Sequence, residues 1–139
     1  MDWLIVIAVV LGCAAVLDDL RRGAISNWIS LPGLLGGLLY HFLHKGWPGL
    51  AMAAEGAALG FAIFLIAYCM GGMGAGDVKL MAAFGALLGP LGILTAAVLI
   101  CVVGGLMAAV SLVIRRHRKA IPYGPAIVLG SWLALLASR

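Results

Sequence analysis

The feature that most constrains this chain is a series of apolar runs joined by short polar connections. Hydrophobic residues make up 65% of the chain and charged residues 10%. Soluble domains carry roughly 45–50% and about 25% of these classes, so the composition excludes a water-soluble globule, a disordered chain and a nucleic-acid module. The six runs are Trp3–Leu17, Trp28–Leu43, Leu50–Met70, Leu80–Leu88, Leu91–Ile114 and Ile121–Ala137.

Run length predicts helices that cross a bilayer, because a spanning helix needs about 20 mainly apolar residues. Leu80–Leu88 is too short alone, and Gly89-Pro90 follows it, so this run is either a half-span or part of a kinked helix. Trp3–Leu17 has no basic residue before it, which is the wrong order for a cleaved signal peptide. We therefore predict an all-α, polytopic bundle of about six transmembrane helices, forming a single membrane-embedded domain over residues 1–139.

Basic residues predict the orientation of this bundle. If the six runs alternate across the membrane, seven cations fall on one side and only Lys45 and Arg139 on the other. Because cytoplasmic connections carry the excess of Lys and Arg, the seven mark the cytoplasmic side and both termini lie outside. The net charge of +4 thus reflects membrane orientation, and we expect lipid rather than nucleic acid as the partner. The seven are Arg21, Arg22, Lys79, Arg115, Arg116, Arg118 and Lys119.

Acidic residues are so few that each can be weighed as a candidate for chemistry. Asp18 and Asp19 end the first run and Asp77 precedes the fourth, so the predicted topology brings them to the same cytoplasmic face. Glu55 lies near the outer side, where it can snorkel or pair with Lys45 or a histidine. No cofactor is expected, since Cys, His, Asp and Glu show no metal-ligand spacing; the three cysteines are expected to pack as small apolar groups.

Asp77 stands in a glycine-rich segment that permits two interpretations. In Gly71–Leu80 (GGMGAGDVKL), the aspartate can simply be the N-cap of the next helix. Alternatively, the glycines remove side chains around one carboxylate, so that another backbone can approach it. The glycine patterns that bind nucleotide phosphates are absent.

The other acidic segment is a polar connection in which Ser26 or Asn27 caps the second helix. Adjacent helical residues point about 100° apart, so Asp18 and Asp19 cannot both face one partner. Two carboxylates that face each other across a half-buried site share a proton. The ionised group can activate water while the neutral group protonates a scissile carbonyl, which is the chemistry of an aspartic peptidase.

Three motifs resemble one known family, the type IV prepilin peptidases. Gly72–Gly89 (GMGAGDVKLMAAFGALLG) is similar to that family's GxGD signature, and Pro122–Ala126 (PYGPA) is similar to the start of its last helix. Asp19–Asn27 resembles its first-aspartate motif, an Asp followed eight positions later by Asn or Asp. The order of the motifs and the six spans also match the family.

This resemblance implies a GxGD aspartic peptidase core with Asp19 and Asp77 as the catalytic pair. The spacing to Asn27 selects Asp19 and leaves Asp18 as a neighbour. The implied substrates are type IV prepilins and pseudopilins, whose short basic leader is removed at the cytoplasmic face of the bacterial inner membrane, usually after a glycine. Residues expected to support the site are Gly74, Gly76, Lys79 and Asn27.

The chain departs from the family pattern in two places. Ser26 stands where the family usually has proline, so we expect an altered turn rather than lost catalysis. Larger members, which also methylate the new N-terminus, carry an N-terminal segment with paired CxxC motifs, and we expect this chain to lack that segment. The chain therefore resembles the short, peptidase-only form of Flp (Tad) pilus systems, without methyltransferase activity. An archaeal preflagellin peptidase is an alternative with a related substrate. The non-enzymatic alternative is a small membrane transporter or a subunit of a pilus or secretion assembly.

Overall fold

A computed structural model of the chain describes residues 2–114 and 123–138. Every regular element in these two ranges is an α-helix, which confirms the predicted all-α class. The basic cluster Arg115, Arg116, Arg118 and Lys119 lies outside the described residues, as do Pro122 and Arg139. The helices are α1 (Trp3–Arg22), α2 (Asn27–Cys69), α3 (Ala75–Val113) and α4 (Gly124–Ala137).

The two longest helices each contain one residue with a non-helical backbone. In α2 this residue is Gly46, with φ 64° and ψ −146°, and in α3 it is Gly89, with φ 73° and ψ 179°. Glycine reaches positive φ without the Cβ clash that other residues suffer. Pro48 and Pro90 follow and have no N–H to continue the helical ladder. We name the four parts α2a (27–45), α2b (47–69), α3a (75–88) and α3b (90–113).

The chain reverses direction at both glycines. A Cβ built on Gly60 would lie 3.1 Å from the carbonyl carbon of Met81 and 3.2 Å from Cγ1 of Ile93. In a straight helix, those two residues would stand about 18 Å apart, at about 1.5 Å of rise per residue. The helix α3 is therefore a hairpin that turns at Gly89.

The same argument makes α2 a hairpin. Gly37 and Gly56 contact Ala86 and Gly85, which are neighbours on α3a. In a straight helix Gly37 and Gly56 would be about 28 Å apart.

The helices α1 and α4 also run antiparallel, because Gly12 contacts Val128 and Trp132 while position 124 contacts position 19. One end of the bundle thus gathers the ends of α1, α2b and α3b and the starts of α2a, α3a and α4.

The short segment α3a forms the centre of the bundle. A helix that is apolar on all sides is stable when protein surrounds it, and α3a is buried on nearly all sides. This position explains how the run Leu80–Leu88, too short to span a bilayer alone, is accommodated. Fully or almost fully buried side chains here are Val78, Leu80, Met81, Ala83, Phe84, Ala86 and Leu87.

Many large apolar side chains lie on the outer surface of the bundle. Three of the described helices, α1, α2 and α3, are long and apolar enough to cross a membrane by length and composition. Cys13, Cys69 and Cys101 are exposed on this surface, so the prediction of packed thiols was wrong. Hydropathy cannot distinguish a lipid-facing position from a protein-facing one when both are apolar. That each of the six helical stretches crosses the bilayer stays a prediction.

Candidate functional site

The connection between α1 and α2 is held by short-range backbone and side-chain contacts. Gly23 adopts the left-handed conformation, with φ 66°, and its N–H donates to the carbonyl of Asp19 at 2.8 Å. This is a common way for a helix to end. Ser26 is the N-cap of α2, since its Oγ accepts the N–H of Trp28 at 3.3 Å. Of the two residues proposed as the cap, Ser26 therefore has the role and Asn27 is the first residue of the helix.

The carboxylate of Asp19 points from α1 towards the start of α4. Its side chain is buried, and Oδ2 accepts the N–H of Gly124 at 3.1 Å. A Cβ at position 124 would lie 2.5 Å from this same oxygen. Glycine at the first position of α4 is therefore what allows the carboxylate to approach the backbone.

Asp77 lies in the first turn of α3. The helix begins at Ala75 with Gly74 as its N-cap residue, and Oδ2 of Asp77 accepts the N–H of Gly74 at 3.1 Å. The interpretation of Asp77 as the N-cap was wrong, because the helix begins two residues earlier. A carboxylate in the first turn is favoured by the positive end of the helix dipole, which helps to keep this buried acid in place.

Asp19 and Asp77 come together at one end of the bundle. Asp19 lies in the last turn of α1 and Asp77 in the first turn of α3, and these two helix termini are at the same end of the bundle. Both residues are less than a tenth exposed, at 7% and 8%. Burial of two carboxylates at the same end of a bundle is costly unless they share a proton or bind something, so the pair is a candidate for acid–base chemistry.

The loops that carry the two aspartates are in direct contact. A Cβ on Gly76 would lie 2.9 Å from both N and O of Ile25, so only glycine allows this close approach without displacement. Lys79 donates from Nζ to Oδ1 of Asn27 at 2.8 Å, which joins the start of α3 to the start of α2. The four supporting residues predicted from sequence thus all lie in or beside the contact between the loops; Gly74 contributes its N–H to Asp77.

Two residues that sequence reasoning left out of the site also contact it. Asp18 accepts the N–H of Ser26 on Oδ2 at 2.8 Å, and its Oδ1 lies 3.3 Å from Nε of Arg22. The four-residue spacing of Asp18 and Arg22 was a visible signal of pairing. Gly124 holds Asp19, and its place in the Pro-Tyr-Gly-Pro-Ala motif was the corresponding signal.

A cavity of about 320 Å³ lies between α2 and α3, beside the pair of loops. Asn27 and Lys79 line it together with mainly apolar side chains. Lys79 is two positions beyond Asp77, which is about 200° around the helix. The cavity and Asp77 therefore lie on different faces of α3a. Within the described ranges, no three side chains of His, Cys, Asp or Glu are grouped so that they could hold a metal ion.

Comparison with known proteins adds independent information about this arrangement. Residues 5–109 match the model of the type IV leader peptidase family. Proteins named prepilin leader peptidase/N-methyltransferase are similar along most of the chain: that of Aeromonas hydrophila is 35% identical over 132 residues, covering 88% of this chain and 45% of the relative. The protein of Xanthomonas campestris pv. campestris is 32% identical over 142 residues, covering 91% and 48%.

A third relative gives the same result. The protein of that name from Bacillus subtilis is 36% identical over 108 residues, covering 76% of this chain and 43% of the relative. The chain thus spans less than half the length of these curated relatives. No solved structure matches the chain significantly.

Proposed function

Since this chain belongs to the type IV leader peptidase family, we propose that it is a membrane aspartic endopeptidase that removes the basic leader from prepilins. The substrates are type IV prepilins and pseudopilins, of the Flp type. The observation that carries this proposal is that Asp19 and Asp77, two buried carboxylates from separate helices, lie at the same end of the bundle, where their loops are in contact. The names of the relatives support the substrate class.

The hydrogen bonds of the two carboxylates support aspartate-dyad chemistry as the mechanism of this proposal. Each Oδ2 accepts one backbone N–H, from Gly124 for Asp19 and from Gly74 for Asp77. We assign the two Oδ1 atoms to a water molecule and to the substrate. The ionised carboxylate takes a proton from the water molecule while the water oxygen attacks the scissile carbonyl carbon. The neutral carboxyl protonates the carbonyl oxygen at the same time. Collapse of the tetrahedral intermediate passes a proton to the leaving amine and restores the shared proton.

The position of the pair suits a substrate that is half in the membrane. A prepilin has a basic leader followed by an apolar helix, so the helix can lie in the bilayer while the leader stays among the headgroups. Asp19 and Asp77 lie within a turn or two of their helix ends rather than at the middle of the bundle. We place this end at the cytoplasmic face of the bacterial inner membrane, with six spans and both termini outside, because Arg21, Arg22 and Lys79 lie there.

Methyl transfer is not assigned to these 139 residues. Relatives are named for both activities, but this chain spans less than half of their length. The sequence contains three cysteines and no CxxC pair. Leader cleavage by a single membrane-embedded domain is therefore the whole of the proposal.

A non-enzymatic carrier or assembly subunit is supported less well. A carrier is expected to bury its essential charges inside the bundle near the membrane midplane. Glu55, the acid that favoured this interpretation, is exposed on the surface of α2b. The buried acids are instead at one end, where the two loops meet.

Mass spectrometry of a co-expressed pilin tests the proposal. A Flp-type prepilin is produced in cells with and without this protein, and the N-terminus of the pilin is measured. The expected product begins directly after the leader and carries no methyl group. Persistence of the full-length precursor beside a folded, membrane-inserted protein would contradict the proposal, and a methylated product would contradict its peptidase-only part.

A further inference from the structure

The second carboxylate of the Asp-Asp pair at the end of α1 has no part in the proposed chemistry, yet it is not a free surface group. The side chain of Asp18 is only 11% exposed. It stands in the penultimate turn of α1, next to another acid and near the negative end of the helix dipole. An anion in such a place needs compensating contacts.

Two contacts serve this purpose, and they differ in how firmly the partner is held. Asp18 accepts the N–H of Ser26 at 2.8 Å, across the whole connection between α1 and α2. Its other contact, with Arg22, involves a side chain that is 74% exposed. Ion pairs with such an exposed partner contribute little to stability. The hydrogen bond to the backbone of Ser26 is therefore the structural role of Asp18.

This hydrogen bond acts on the residues that join the two aspartates. Ile25 directly precedes Ser26 and packs its backbone on Gly76, one residue before Asp77. Asn27 directly follows Ser26 and accepts the hydrogen bond from Lys79. By holding Ser26, Asp18 holds the part of the connection that contacts the start of α3.

We propose that Asp18 is a positioning residue, which sets the placement of Asp19 relative to Asp77 by fixing the α1–α2 connection through the N–H of Ser26. This inference rests on the proposed peptidase function. Ser26 has φ −72° and ψ 146°, a conformation that proline also adopts. Proline would restrain the connection by its ring but would offer no N–H. The same connection can thus be restrained in two ways, by the hydrogen bond between Asp18 and Ser26 or by a proline at position 26.

A double-mutant cycle on cleavage of prepilin tests this role. Asp18→Ala is expected to lower kcat about tenfold with little change in KM, because a lost hydrogen bond of ordinary strength corresponds to about that factor. Asp18→Asn retains an acceptor oxygen and is expected to keep most of the activity. In a Ser26→Pro background, Asp18→Ala is expected to have no further effect. Arg22→Ala is the matched control and should stay near the wild-type rate.

Equal effects of Asp18→Ala in the wild-type and Ser26→Pro backgrounds would overturn the proposal, as would a wild-type rate for Asp18→Ala. Amide hydrogen exchange of residues 23–27 gives a readout that needs no activity. Exchange there should be faster in Asp18→Ala than in wild type, Asp18→Asn or Arg22→Ala. Unchanged exchange would refute the positioning role even if the peptidase is active; changed exchange in a protein that cleaves nothing would refute the function alone.

Discussion

Asp19 and Asp77 are each held through one oxygen by the backbone N–H of a glycine. Gly124 serves Asp19 and Gly74 serves Asp77. Backbone donors fix a carboxylate in place without adding a second titrating group. At position 124 this close approach depends on the absence of a Cβ, whereas at position 74 a Cβ would make only an ordinary contact with Asp77.

Replacement of Gly124 should disturb Asp19 directly. A Cβ there would lie 2.5 Å from Oδ2, so Gly124→Ala must push the carboxylate aside. We expect the rate of prepilin cleavage to fall about tenfold or more, equal to at least about 1.4 kcal/mol in the barrier. The measurement is the initial rate with purified protein, with Gly105→Ala as the control, because a Cβ at position 105 meets nothing within 4 Å.

The two glycines of the GAGD sequence should differ in their tolerance to substitution. Gly76→Ala places a Cβ 2.9 Å from the backbone of Ile25, so it should separate the loops and lower activity. Gly74→Ala meets Asp77 at 3.6 Å, an ordinary contact, and should be close to wild type. Parallel cleavage assays compare the two variants, and equal losses would contradict the described loop contact.

Motif spacing and glycine context selected Asp19 and Asp77 as candidates but did not give all their partners. That the two aspartates form a catalytic pair stays a prediction. The hydrogen bond from Gly124 to Asp19 joins residues far apart in the chain, so no local pattern could give it. The role of Asp18 was missed for a different reason. Motif spacing identifies which acid is a candidate for catalysis, but it does not predict which acid accepts a backbone N–H.

At the scale of elements, glycine contacts determine how the hairpins pack. Gly56 of α2b and Gly85 of α3a meet with their backbones in direct contact. Small residues allow such close approach where lipid provides no hydrophobic force to bring helices together. This contact holds α3a, and with it Asp77, against α2b.

Gly85→Ala should therefore destabilise the bundle. Its Cβ would clash with the backbone of Gly56 and with Ala57, where nothing can move cheaply. We expect a loss of roughly 1–3 kcal/mol, typical of overpacking. Thermal unfolding in detergent measures it against Gly105→Ala, which should be neutral or slightly stabilising, because alanine favours helix more than glycine. Equal melting temperatures for the two variants would contradict the packing described.

The sequence predicted the number of helical stretches better than it predicted how they pack against one another. Each of the six apolar runs overlaps one helical stretch of the described residues, because Gly46 and Gly89 divide α2 and α3. That all six stretches cross the membrane stays a prediction. The central position of α3a could not be derived, since helices that are apolar all round give no periodic signal for their buried side. The exposed cysteines illustrate the same limit.

Across the whole molecule, aromatic residues mark both ends of the bundle. Trp28 lies at the end with the aspartates and is 89% exposed; Trp3 and Trp47 lie at the opposite end, 65% and 75% exposed. Tryptophan is enriched at both membrane–water interfaces. Together with the basic residues, this distribution supports a bilayer that surrounds the bundle between the two sets of indoles.

Labelling of single cysteines tests the proposed orientation. In a background with Cys13, Cys69 and Cys101 changed to Ala, Gly72→Cys lies beside the aspartates and Ser138→Cys at the opposite end; both positions are exposed. An impermeant maleimide added to intact cells should label position 138 and spare position 72 until the membrane is opened. The reverse pattern would place the aspartates on the outer face and contradict the proposal.

The catalytic pairing of Asp19 and Asp77 is the central claim, and the rate of leader removal by purified charge-neutral variants tests it most directly. Asp19→Asn and Asp77→Asn keep the shape of each side chain but remove the shared proton. Both are expected to lower cleavage of a prepilin by about a thousandfold or more, while Asp18→Asn stays active and all three melt near the wild-type temperature. Cleavage at a normal rate by a folded Asp19→Asn or Asp77→Asn protein would contradict the account.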